Sequence, residues 1–157
     1  MRTALSALVV VASVLASARP ASAQIVPTKQ QEDRITKGLI TVLALAEVTI
    51  PDTSTGAFSF DAEVIYDPTK GVPAVSAGSN TPGALTTNPP TIVSDAADAA
   101  HPGRNKRTIR VSGTWNEKVS DKFKVVTQAS QTVNNPKNNK PHQEADSAPT
   151  LLKKGGT

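Results

Sequence analysis

The stretch Phe58 to Thr69, FSFDAEVIYDPT, sets Ser59, Asp61 and Glu63 at every second position, a spacing that lets three polar side chains act together. An extended chain turns alternate residues to opposite sides, so these three share one face with Ile65, while Phe58, Phe60, Ala62, Val64 and Tyr66 share the other. Carboxylates so placed suit recognition rather than bond cleavage, because a glycosidase needs two acids facing each other across a cleft at a set separation. The other acids fall mostly in loops. His101 and His142 lie in a loop and near the C-terminus without ligand-like spacing, so no metal site is expected. Asp95 and Asp98 lack the dense Asp, Asn and Gly of a calcium loop, and no serine sits in a G-x-S-x-G elbow. The chain has no cysteine, which removes thiolate nucleophiles and thiolate ligands. A non-catalytic chain with no cofactor is predicted, with Ser59, Asp61 and Glu63 as partner-binding candidates. Arg110, Ser112 and Thr114 repeat the pattern on a second strand, and a merely solvated sheet face is the competing reading.

Short strands joined by turns must hold these rows. Twelve prolines, nine glycines and many Thr, Ser and Asn, with few helix-length apolar stripes after residue 50, favour an all-β fold. Residues 24–37 are polar and read as a linker or a helix start, with Thr28 and Gln31 spaced as a capping box. Ile35, Leu39, Ile40 and Leu43 fit a helix over 28–46, but Ile40, Val42, Ala44, Ala46, Val48 and Ile50 also alternate. Strand is favoured for 47–50, and 38–46 stays open between the two. Turn residues at 51–56 and 67–71 bracket the FSFDAEVIYDPT strand, whose two Phe and one Val are worth about 5 kcal/mol of burial before entropy. Further strands are expected at 72–77, confined to an edge by Pro73, briefly at 84–87, and at 91–94. Residues 95–106 read as loop with at most one helical turn. A strand over 107–115 turns Ile109, Val111 and Trp115 inward, and one over 122–128 alternates Phe123 and Val125 with lysines.

The ends of the chain read differently. Arg2, the apolar run Ala4 to Ala18 and Ala21-Ser22-Ala23 describe a signal peptide over residues 1–23, with no membrane span after its removal, so a secreted, extracellular or cell-surface location is expected. Its loss leaves 15 basic and 13 acidic residues, a net charge of +2, too mild for a nucleic-acid partner given one Trp, one Tyr and three Phe. An exported chain without disulfides must rely on its core. After Val133 apolar residues become sparse, and 134–157 are expected to be a disordered tail behind a domain at 38–133.

The order EVTIP (47–51), AFSFDAEVIYDPT (57–69), VPAVSAGSNTPGALTT (72–87), PGRNKRTIRVSGT (102–114) and FKVV (123–126) resembles the cohesin domain family, the bacterial modules that bind dockerin domains. The resemblance covers residues 47–128. It implies a jelly-roll β-sandwich without catalytic activity, and a dockerin-like protein partner that brings its own calcium. It also implies that polar residues before Tyr-Asp-Pro, here Ser59 and Asp61, contact that partner. The sequence departs from the family in a short 51–56 loop, in an apparent insertion at Asn105 to Arg107, and in lacking recognisable strands after FKVV, so the sandwich is expected to be incomplete.

Three functions follow as expectations. The first is recognition of a dockerin-like partner in extracellular polysaccharide breakdown or cell-surface assembly. The second is direct polysaccharide binding, which needs exposed rings, whereas alternation turns Tyr66 and Trp115 inward. The third is an adhesive or structural subunit that completes its sheet by strand exchange.

Overall fold

The computed structural model describes residues 25–50, 56–79, 85–115 and 122–154; the signal peptide expected over 1–23 and most of the 51–56 loop lie outside them. Thr28 and Gln31 form the expected capping box: the Gln31 amide donates to Thr28 Oγ1 at 3.2 Å and the Thr28 amide donates to Gln31 Oε1 at 2.8 Å. The helix they open, α1 (Lys29–Thr36), lasts only eight residues. Gly38, at φ +76°, ends it in a Schellman turn, with the Gly38 and Leu39 amides donating to Ile35 and Arg34 carbonyls. That stop resolves the ambiguity at 38–46, because the chain then enters β1 (Thr41–Leu43), followed by β2 (Glu47–Ile50).

The remaining strands are β3 (Ala57–Tyr66), β4 (Ala74–Ser79), β5 (Leu85–Thr87), β6 (Thr91–Ala97), β7 (Asn105–Trp115), β8 (Lys122–Asn134) and β9 (Pro141–Lys154). They form a two-sheet β-sandwich. Sheet A runs β1-β3-β7, with β5 and β6 end to end along the far side of β7; sheet B runs β2-β9-β8-β4. The first strand changes sheets: β1 pairs antiparallel with β3, and β2 pairs parallel with β9. Every other pairing in the two sheets is antiparallel, and together they make the all-β sandwich expected from the sequence.

Alternation places the core as expected. Phe58, Phe60, Ala62, Val64 and Tyr66 of β3 pack with Ile109, Val111 and Trp115 of β7 against Phe123, Val125 and Leu152 of sheet B. Trp115 stacks between Phe58, at 6.3 Å, and Phe123, at 5.5 Å. Gly113 faces Phe58 across the sheet, and a Cβ there would meet the ring at 2.9 Å, so the position admits glycine alone. Ile65 departs from expectation: it lies on the outer face of β3 yet is buried, because α1 covers it with Ile35 against Leu43.

The expected disordered tail is corrected. Residues 141–154 form β9, paired with β8 from Asn134↔Pro141 to Lys122↔Lys153, so the final strand is present and the domain extends beyond residue 133. Backbone bonding, which needs no apolar side chain, holds its polar half, and Ala148, Thr150 and Leu152 turn inward in the other. Asn105 to Arg107, read as an insertion, is the start of β7, and β6 continues to Ala97 through residues read as loop. Leu152→Ala is therefore expected to lower unfolding free energy by about 2–5 kcal/mol, whereas Gln143→Ala changes it by less than about 0.5 kcal/mol. Urea titration of both variants checks this, and equal, negligible effects would return the segment to the status of a tail.

Candidate recognition edges of one sheet

The structure brings the five candidate residues onto one face. Register sets Ser59 opposite Ser112, Asp61 opposite Arg110 and Glu63 opposite Thr108. Their charges are spent on each other: Arg110 Nε and Nη2 donate to the two Asp61 oxygens at 2.9 and 3.2 Å, and Lys106 lies 3.4 Å from Glu63. The pairing with Asp61 raises the Arg110 guanidinium further above its ordinary range. Ser112 is engaged by Asn88. All five aromatic residues, Phe58, Phe60, Tyr66, Trp115 and Phe123, are buried, so none offers a ring to a sugar.

The two edges of sheet A are unlike each other. On the β1 edge, the outward backbone groups are taken by side chains in place of a strand. Asp146 accepts from the Val42 amide at 2.8 Å, Gln31 of α1 donates to the Val42 carbonyl at 3.4 Å, and Arg34 of α1 donates to the Ile40 carbonyl at 2.6 Å. On the opposite side, β6 pairs with β7 by one edge, and every residue from Thr91 to Ala97 is exposed. Ile92 and Val93 are 49% and 47% exposed, and Val72 is also open. Arg107 bonds both Asp95 on β6 and the Pro73 carbonyl, which seats the Val72 loop near this edge. Arg107 neutralises the Asp95 charge and the Tyr66 hydroxyl donates to the same carboxylate, so among the described residues β6 carries no lysine and no unpaired charge. A bulge between Ile92 and Ser94 interrupts its register.

A tight turn within the 95–106 segment, read as loop, joins β6 to β7. His101-Pro102-Gly103-Arg104 closes with the Arg104 amide on the His101 carbonyl at 3.0 Å, with Gly103 at φ +83°. The turn aims its two corner side chains at α1. His101 lies 2.7 Å from Asp98 through Nδ1 and 2.7 Å from Glu32 through Nε2, and Arg104 donates to the Ile35 and Thr36 carbonyls. The bonded Asp98 carboxylate raises the His101 pKa, partial burial opposes it, and Glu32 adds to the rise. Protonated, the ring can donate from both nitrogens and so bridge the two carboxylates. Pro-Gly between two polar residues was the available signal; what it could not reveal was Glu32, 69 positions away.

Beside this turn a cavity of about 380 Å³ runs between α1 and the outer face, lined by Ile25, Glu32, Leu43, Asp61, Glu63 and His101 among others. Among the described residues no cluster of three His, Asp or Glu is arranged to hold a metal, and no helix is long and apolar enough to cross a membrane.

No family model matches the chain, and none of the curated proteins does. Among solved structures it is similar to AggA, the major subunit of aggregative adherence fimbriae type I from Escherichia coli, at 15% identity over 74% of this chain and 93% of that one, with a TM-score of 0.41. A likeness so distant does not bear on function.

The raised His101 pKa fixes the sign of a pH effect. The linkage contributes its full stability below the ordinary histidine value of 6.5 and loses it as pH rises through the higher folded value. The stability advantage of the wild type over His101→Gln should accordingly be greatest near about pH 5.5 and fade toward about pH 9. Urea unfolding of both proteins across that range measures it, and a constant difference would contradict the linkage.

Proposed function

We propose that this chain is an exported, non-catalytic β-sandwich subunit with an adhesive or structural role, which joins protein partners by adding a strand to the edge of β6. The observation that carries the reading is the seven-residue β6, exposed throughout, with Ile92 and Val93 uncovered and no free charge to repel an incoming strand. Added strands gain main-chain hydrogen bonds for affinity and side-chain contacts at alternate positions for register. A soluble protein with nothing to gain from such an edge blunts it, as this one does at β1. Strand exchange does not stem from a missing final strand here, because β9 fills that place. An open edge on a complete sandwich is the motive instead.

A second reading keeps a dockerin-like domain, carrying its own calcium, docked on the face of Ser59, Asp61, Glu63, Arg110 and Ser112. One observation favours it: the five residues do share a face. Their mutual neutralisation weakens it, because a partner would have to compete with the Asp61–Arg110 pair. Binding of a purified dockerin domain that is lost with a calcium chelator and in Asp61→Ala would favour this reading over the first.

Strand addition makes its own prediction. Replacing Ile92 and Val93 together by lysine should abolish concentration-dependent association in sedimentation velocity while changing stability by less than about 0.5 kcal/mol per site, because both side chains are open. Association that persists undiminished in the double variant would remove β6 from the interface.

A further inference from the structure

α1 is a small helix with a large number of polar duties. It contributes one fully buried side chain, Ile35, which packs with Leu43 and Ile65. Eight residues are too few for a helix to persist alone, so its tertiary attachments decide whether it stays folded and in place. Those attachments run to β1, to the β6–β7 turn and to β9, where Arg34 donates to the Ala145 carbonyl at 3.5 Å and lies 4.0 Å from Asp146. Gln31 and Arg34 reach down to the outward carbonyls of β1. His101 and Arg104 reach up from the β6–β7 turn to its first and last turns.

The His101 linkage holds only while both ring nitrogens donate. A neutral imidazole has one N–H, so losing the proton sets a lone pair against a carboxylate held at 2.7 Å. Three neighbouring cations are engaged elsewhere: Lys106 on β7 serves Glu63, Arg110 serves Asp61, and Arg104 serves the α1 carbonyls and lies 3.9 Å from Asp67. Glu32 and the buried Asp98 would then face each other across a neutral ring.

We propose that α1 is a releasable guard on the β1 edge, held by the Glu32–His101–Asp98 linkage, and that the strand it keeps out is β6 of a second copy of this chain. The inference rests on the strand-addition reading above and names its partner. Strand direction selects the pairing. β1, β3, β7 and β6 alternate in direction, so β6 of one copy meets β1 of a copy displaced along the sheet in antiparallel order. Sheet A then continues from copy to copy through two different edges, a head-to-tail contact that extends without closing. The incoming strand takes the Ile40 and Val42 carbonyls from Arg34 and Gln31, and the Val42 amide from Asp146. With α1 seated, those groups are occupied, and of the two edges of sheet A each copy offers β6.

Amide hydrogen exchange on the mature chain, corrected for intrinsic pH dependence, tests the guard, and sedimentation velocity on the same samples tests the partner. Between about pH 5.5 and about pH 9, protection across α1 should fall by about tenfold or more while the β3–β7 core holds, and Glu32→Gln should move the transition to lower pH. Association should rise over the same interval, and Ile35→Asp, which unseats α1 directly, should associate already at the acid end. Unchanged α1 protection in the wild type overturns the guard, even if copies associate through β6. Release of α1 in a chain that stays monomeric at both ends, and in Ile35→Asp, overturns the second copy as partner and strand addition with it.

Discussion

Every backbone amide and carbonyl on the rim of a sheet must find a partner, and this chain meets that constraint in a different way at each rim. The origin of the difference is the crossing at Ala44 to Ala46, where the first strand leaves sheet A for sheet B. It stays in sheet A for three residues only, too short to finish the edge of β3, and then serves β9, whose Leu151 amide donates to the Ala46 carbonyl. The outward groups of β1 are left to side chains, and α1 exists to deliver two of them. On the opposite rim no helix among the described residues plays that part, and β6 lies open.

The core tolerates this arrangement because it is built on one aromatic stack. Phe58, Trp115 and Phe123 join the two sheets at one end, and Tyr66 closes the other by bonding Asp95, which Arg107 also engages. Burial lifts the Tyr66 pKa, with Asp95 adding to the rise, so the phenol stays a donor at any ordinary pH. The same Asp95 thus anchors β6 to the sandwich while its outer edge stays bare. In sheet B the long β8–β9 pair is the central ladder between β2 and β4, and Gln131 ties the 67–71 turn to it through the Asp67 and Gly71 carbonyls.

How much of this was legible follows from how each residue advertises its surroundings. Large apolar side chains in strict alternation marked β3 and β7, and with them the face that gathers Ser59, Asp61, Glu63, Arg110 and Ser112. The capping box at Thr28 and Gln31 marked the start of α1, but its end depended on Gly38, which period-2 and period-3.6 patterns bridge equally. β9 was invisible because its inward positions are Ala148, Thr150 and a single Leu152, and because Pro141 to Ala145 buries no apolar side chain and is held by its ladder with β8 and by polar links such as Lys70 to Glu144. Ile65 looked misplaced on a polar face until α1 was seen above it. Long-range polar links such as Glu32 to His101 leave no local trace, so the device that governs the β1 edge could emerge only from the folded chain.

The account stands on β6 being an edge that takes up a strand. Amide exchange of Ile92 to Ser94 as a function of protein concentration addresses it most directly, under conditions that release α1. Dilute protein should leave the outward amides of this segment exchanging nearly as fast as an unstructured peptide, and concentrated protein should protect them together with Val42. Equal exchange at all concentrations, with association nonetheless present, would contradict it.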